Sequence, residues 1–160
     1  MTKYLLILKV VRMRHNNLII GFLLMLIAFA STSGELISPE GLWKTYDDDG
    51  KITGFVRIVK DSGIYTGVIE KGLDTDKGDE RCTACKDERK DRKLIGMTIM
   101  KKVKASGDAY VGDEILDPFS GNTYKVTLKL KEAGKKLEVR GYIGFSLLGR
   151  TQTWERAENG

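Results

Sequence analysis

From Gly41 to Arg156 the chain runs in short stretches of alternating apolar and polar residues, broken by glycine-containing turns. Period-two alternation marks a β-strand with one buried and one wet face. The pattern predicts strands over Gly41–Tyr46, Thr53–Lys60, Ile64–Lys71, Leu94–Val103, Ala109–Leu116, Thr123–Lys131, Lys135–Tyr142 and Arg150–Arg156. The sixth is the clearest: Tyr124, Val126, Leu128 and Leu130 share one face, and Thr123, Lys125, Thr127 and Lys129 the other. One-sided burial of this kind belongs to antiparallel sheets. Beyond residue 30 no stretch has the period of a long amphipathic helix. The expected fold is all-β, a single eight-stranded antiparallel up-and-down barrel, whose closure removes unpaired strand edges. A two-sheet sandwich is the alternative that strand spacing leaves open.

Two connections depart from ordinary hairpin turns. Gly72–Lys93 is 22 residues long and holds seven acidic and seven basic residues from Asp74 onward, so it reads as a solvated loop without a net field. Ile143–Gly149, with the sequence IGFSLLG, places Ile143, Phe145, Leu147 and Leu148 where a hairpin needs a few polar residues. Those four side chains must fold over the barrel end as a plug or portal, or be covered by a ligand or partner.

The first 30 residues read differently, as a cleavable signal peptide. Lys3, Lys9, Arg12 and Arg14 are followed by an apolar run from Leu18 to Phe29 that is short for a membrane span, and Ala28-Phe29-Ala30 offers a cleavage site. A start at Met13 makes the tidier signal, and an uncleaved anchor is the competing reading. The expected organisation is a signal at 1–30, a short flexible lead at 31–39, and the barrel at 40–156, exported to the periplasm or beyond. No cysteine follows the apolar run closely, so a lipid-modified N-terminus is not expected, nor any stable membrane anchor after cleavage. Removing the segment changes the chemistry on offer. Four of the 27 basic residues and none of the 22 acidic ones lie in it, leaving 23 against 22, a net charge of +1. That gives no licence for nucleic-acid binding. The one histidine, His15, leaves as well, which takes away Ser-His and Cys-His nucleophiles and histidine metal sites. No cofactor site is expected, and no catalytic constellation is legible.

GLWKT at Gly41–Thr45, KLIGM at Lys93–Met97, ILDPFSGNTYK at Ile115–Lys125 and LEVRGYIGFSLLGRTQTWER at Leu137–Arg156 together carry a likeness. The chain resembles the family of small secreted bacterial proteins known as domain of unknown function twenty-one forty-seven, over nearly all of Glu40–Arg156. The resemblance implies a lipocalin-like or fatty-acid-binding-protein-like barrel. It implies no reaction, ligand or catalytic residue. A weaker likeness to lipocalins rests on Gly41-x-Trp43, since lipocalins stack an arginine from the barrel's end over such a tryptophan; Arg150 and Arg156 are the two candidates here. The helix that usually ends a lipocalin has no counterpart in this chain.

Trp43 and one of those arginines would form a cation–π pair of about 0.5–2 kcal/mol where the first and last strands meet. Cys82-Thr83-Ala84-Cys85 has the spacing of a redox pair, but in an exported all-β protein a local structural disulfide is the simpler reading. Candidate ligand contacts are Tyr65, Tyr124, Tyr142 and Trp154, with Tyr110 beside them and Phe145 and Leu147 from the apolar loop. Arg57, Glu114 and Arg140 are candidate polar anchors, although alternation puts Arg140 on the wet face of its strand. Asp117-Pro118 with Gly121-Asn122 reads as turn chemistry. The expected function is a carrier or sensor for a small apolar or amphipathic molecule. The alternative is an interaction module without a cavity, docking on a protein or membrane surface.

Overall fold

The computed structural model describes residues 37–72 and 80–158, so the expected signal segment and cleavage site lie outside the described residues. Eight antiparallel strands follow one another around a closed barrel: β1 Gly41–Tyr46, β2 Ile52–Asp61, β3 Ile64–Gly72, β4 Thr98–Ser106, β5 Ala109–Asp117, β6 Asn122–Lys131, β7 Lys136–Tyr142 and β8 Gly149–Arg156. Each strand pairs with its neighbours in sequence, and β8 returns to β1, so the barrel and not the sandwich is the fold. Inward positions follow the expected alternation, with Val126, Leu128, Leu137, Val139 and Trp154 all buried.

The largest boundary difference is at β4, expected from Leu94 and found from Thr98. Leu94–Met97 instead forms a turn, in which the Met97 N–H donates to the Leu94 carbonyl at 2.9 Å and Gly96 takes a φ of 83°. A glycine in an apolar run of irregular alternation is what the strand reading overlooked. Within β4, Lys102 at φ 57° breaks the alternation further, so that Ile99, Met100 and Val103 are all buried.

One end of the barrel is closed. The Arg156 guanidinium carbon stands 4.3 Å from the centre of the Trp43 ring system. Its three nitrogens donate to the carbonyls of Gly134 at 2.7 Å, Glu40 at 2.7 Å and Ser38 at 2.8 Å. The Trp43 indole N–H donates to the Pro39 carbonyl at 2.8 Å. One cation therefore ties together the segment before β1, the β6–β7 turn and the first strand. Gly41 is required there: its φ is 133°, and a Cβ would lie 2.6 Å from an Arg156 guanidinium nitrogen. Of the expected flexible lead, Ile37–Pro39 packs onto this end, with Pro39 fully buried. The other candidate, Arg150, lies at the opposite end of β8 and pairs with Asp48. The closing role belongs to Arg156, because β8 runs toward the closed end and only its last residue reaches Trp43.

Trp43 is completely buried. Replacing it with alanine is expected to cost about 3–5 kcal/mol in equilibrium denaturation; a loss below 1 kcal/mol would mean that Trp43 does not hold this end.

Candidate functional site

In an up-and-down barrel the starts of odd strands and the ends of even strands share one end. That end, around Trp43, Ile58, Tyr65, Val103, Leu128 and Leu137, is filled with side chains. The other half is not. A cavity of about 750 Å³ is lined mainly by the ends of odd strands and the starts of even ones, including Val56, Ile69, Ile99, Ile115, Leu116, Tyr124 and Val139, and is also reached by Trp154, late in β8 and paired with Leu137. Its wall is mainly apolar, and Gly141 faces it without a side chain. Around the mouth stand Tyr46, Asp48, Lys71, Asp117, Tyr142 and Arg150.

The barrel seam runs up to this mouth. Only Trp43 with Arg156 and Lys44 with Glu155 pair across β1 and β8. Nearer the mouth, side chains bridge the two strands. The Gln152 amide donates to the Tyr46 carbonyl at 3.3 Å, the Tyr46 hydroxyl to Glu155 at 2.6 Å, and Arg150 to Asp48. The hydrogen bond to Glu155, helped by desolvation, pushes the Tyr46 phenol up to about 12, so it remains a donor at any physiological pH.

The long charged connection is a packed cap. Arg81 bridges to Lys93, and the Cys82 N–H donates to the Arg92 carbonyl at 2.9 Å. Arg89 is only 5% exposed and donates to Asp87 and, at 2.7 Å, to Glu114 on β5. These bonds hold the Asp87 carboxyl down to about 2, chiefly through the Arg89 side chain and backbone N–H. Cys82 and Cys85 form a disulfide with Cα atoms 5.4 Å apart, and both are buried in the core. The turn between them docks on the β5–β6 turn. There Gly121, at φ 68°, is indispensable, because a Cβ would lie 1.9 Å from the Ala84 carbonyl oxygen. Over Glu80–Lys93 the charged residues other than Arg89 are exposed, as expected of a solvated segment, but the segment is folded onto the barrel through buried Cys82, Cys85 and Arg89.

The family described as "uncharacterized protein conserved in bacteria (DUF2147)" is matched over residues 41–156, the whole barrel. The chain belongs to this family. Among solved structures it is similar to protein HP1028 of Helicobacter pylori, described as belonging to the lipocalin family. The two share 18% identity over 77% of this chain and 85% of that one, with a TM-score of 0.68. No curated protein matches the chain. The lipocalin-like architecture is therefore shared at the level of fold.

Within this DUF2147 barrel, Tyr124, Tyr142 and Trp154 line the cavity. Tyr65 does not. It is buried in the filled half, its ring edge-on to Tyr110 at 5.1 Å, because it begins an odd strand. Phe145 and Leu147 project into solvent from the mouth, 81% and 88% exposed, so the apolar loop is no plug. Of the polar candidates, Arg57 pairs with Glu70 on the outer wall and Glu114 is engaged by the cap. Arg140 binds the apolar loop from outside. Sequence reasoning missed Lys71, Gln152 and the mouth position of Arg150. Alternation from the inward Trp154 places Gln152 and Arg150 on the same face, which was a usable signal.

The disulfide closes a very small ring, so replacing Cys82 and Cys85 together by alanine is expected to leave the far-UV spectrum intact and cost ~2 kcal/mol. Arg89→Met is expected to cost ~1–3 kcal/mol through its lost charged hydrogen bonds, with proteolysis appearing first at the cap. A variant as stable and as protease-resistant as the parent would contradict the packed-cap assignment.

Proposed function

We propose that the protein is an exported, non-enzymatic carrier that holds one small apolar or amphipathic molecule in the open half of its barrel. The observation that carries this reading is the cavity of about 750 Å³, mainly apolar and reaching the open end of the barrel. Pockets for small molecules span roughly 300–1,000 Å³ and combine apolar walls with a few polar groups. Here the polar groups gather at the mouth, as Lys71, Gln152 and the Arg150–Asp48 pair. An apolar part would lie against Val139 and Trp154, with any polar end beside the mouth groups. The lipocalin-like fold supports the same reading, and the buried disulfide agrees with passage through an oxidising compartment. A module acting only through its outer surface would have no need of this void, since filling it would add stability.

Gly141 gives a direct test. A Cβ there meets Tyr124 and Ile115 at 3.5–3.8 Å, ordinary contact distances, so Gly141→Leu fills the cavity without striking backbone. Native mass spectrometry of protein purified from its own cell envelope is expected to show a one-to-one adduct of lipid-like mass. Gly141→Leu is expected to lose the adduct while melting no lower than the ligand-free parent. Parent protein without any adduct, and without affinity for an added fatty acid, would overturn the proposal.

A further inference from the structure

Beside the barrel cavity lies a second hollow. A groove of about 440 Å³ runs between the disulfide cap and the start of β6, with Lys86 and Asp87 on the cap side and Asn122 and Thr123 on the strand side. Tyr124 and Ile143 line both this groove and the cavity, so the two share a wall.

The cap fixes the outer side of the groove. Lys86 follows directly on Cys85, which is buried and joined to Cys82, and the turn between the two cysteines lies against Gly121. The charge of Asp87 is already matched inside the protein. Arg89 donates to its carboxylate from the backbone N–H at 2.9 Å and from the guanidinium at 3.0 Å. Lys86 has no such match. Its Nζ donates to the neutral Asn122 Oδ1 at 3.3 Å, and no carboxylate pairs with it among the described residues. The Asn122 amide nitrogen and the Thr123 hydroxyl have no hydrogen-bond partner among the described residues either. One uncompensated cation beside two neutral donors is a set that receives a phosphate or carboxylate.

The rim of the cavity offers an anion less. Asp47 accepts from the N–H groups of Asp49 and Lys51, Asp117 accepts from the Phe119 N–H and the Ser120 hydroxyl, and Asp48 pairs with Arg150. Lys71 and Glu80 remain, and their charges are opposite. The rim as a whole carries more acid than base, which disfavours a negative head there.

We infer that the groove is a head-group site for an anionic amphiphile: the apolar chain lies in the barrel, and the phosphate or carboxylate at its end passes Tyr124 and Ile143 to meet Lys86, Asn122 and Thr123. The inference rests on the carrier reading and adds to it the charge of the ligand and the place of its head. It also gives the cap a task, since the disulfide and Arg89 hold Lys86 and Asp87 at the groove's edge.

Calorimetric titration of the protein, purified from its own envelope and stripped of lipid, separates head from chain. The probes are decyl phosphate, 1-decanol and inorganic phosphate. Lys86 and Lys71 are exposed, so a methionine at either position keeps the fold. Decyl phosphate should bind more tightly than 1-decanol, and inorganic phosphate alone should give no saturable heat. Lys86→Met should weaken decyl phosphate about fivefold, and added salt should narrow that gap. Lys71→Met should weaken it less. The affinity for 1-decanol, which has no charge to lose, should be the same in Lys86→Met and the parent. Decyl phosphate bound equally by Lys86→Met and the parent would overturn the inference, as would a larger loss in Lys71→Met. So would saturable binding of inorganic phosphate that depends on Lys86, since that is a site for the bare ion. In each of these cases binding of 1-decanol leaves the carrier reading standing. Failure of both decyl probes to bind would overturn the carrier reading and this inference with it.

Discussion

A barrel of eight short strands has to be sealed where its first and last strands meet, and here that seam depends on Arg156 lying on Trp43. The seam has few backbone pairs, and they are at the Trp43 end. The guanidinium compensates by stacking on the indole and capping three carbonyls, two from the segment before β1 and one from the β6–β7 turn. A cation so engaged is stabilised by charged hydrogen bonds and ring contact together, each stronger than its neutral counterpart. Gly41 leaves the room that the stack needs. With bulky side chains concentrated at this end, the interior empties toward the other, and the cavity is the consequence.

The mouth shows three solutions to the same problem of an unfilled end. On the β5–β6 side the disulfide cap packs against the turn at Gly121, and its buried Arg89 fastens it to β5. Across the seam, side chains of Tyr46, Gln152, Arg150 and Asp48 take over from the backbone ladder. On the β7–β8 side the apolar loop is exposed among the described residues, and Arg140 hydrogen-bonds its backbone there. Two sides are tied down and one is left apolar and displayed. That asymmetry fits an entrance with a preferred direction of approach.

Much of this was legible in the sequence. Alternation and glycine turns fixed the strand number and the up-and-down order, and the spacing of Cys82 and Cys85 pointed to the local disulfide. Position within the strand order held more information than was drawn from it. Tyr65 begins an odd strand and so shares an end with Trp43, whereas Tyr124 begins an even strand and faces the open half. The same rule separates Arg156 from Arg150. The cap was not legible, because seven acids and seven bases in sequence look solvated whether or not they pair. Burial of Arg89 depends on Glu114, far away along the chain, and no local pattern announces it. The cavity was equally hidden, since alternation gives the face of a side chain and not whether the space before it is filled.

The central claim is that one end of the barrel is sealed and filled while the other holds a ligand-sized void, and the two tryptophans differ in their contact with that void, which Trp154 lines and Trp43 does not. Trp43→Phe leaves Trp154 at the cavity wall, and Trp154→Phe leaves Trp43 at the sealed end. Titration of each folded variant with a fatty acid brominated along its acyl chain measures contact quenching at each ring. The account predicts saturable quenching of Trp154 at one equivalent and an unaltered Trp43. Equal quenching of both, or none of Trp154, would contradict it.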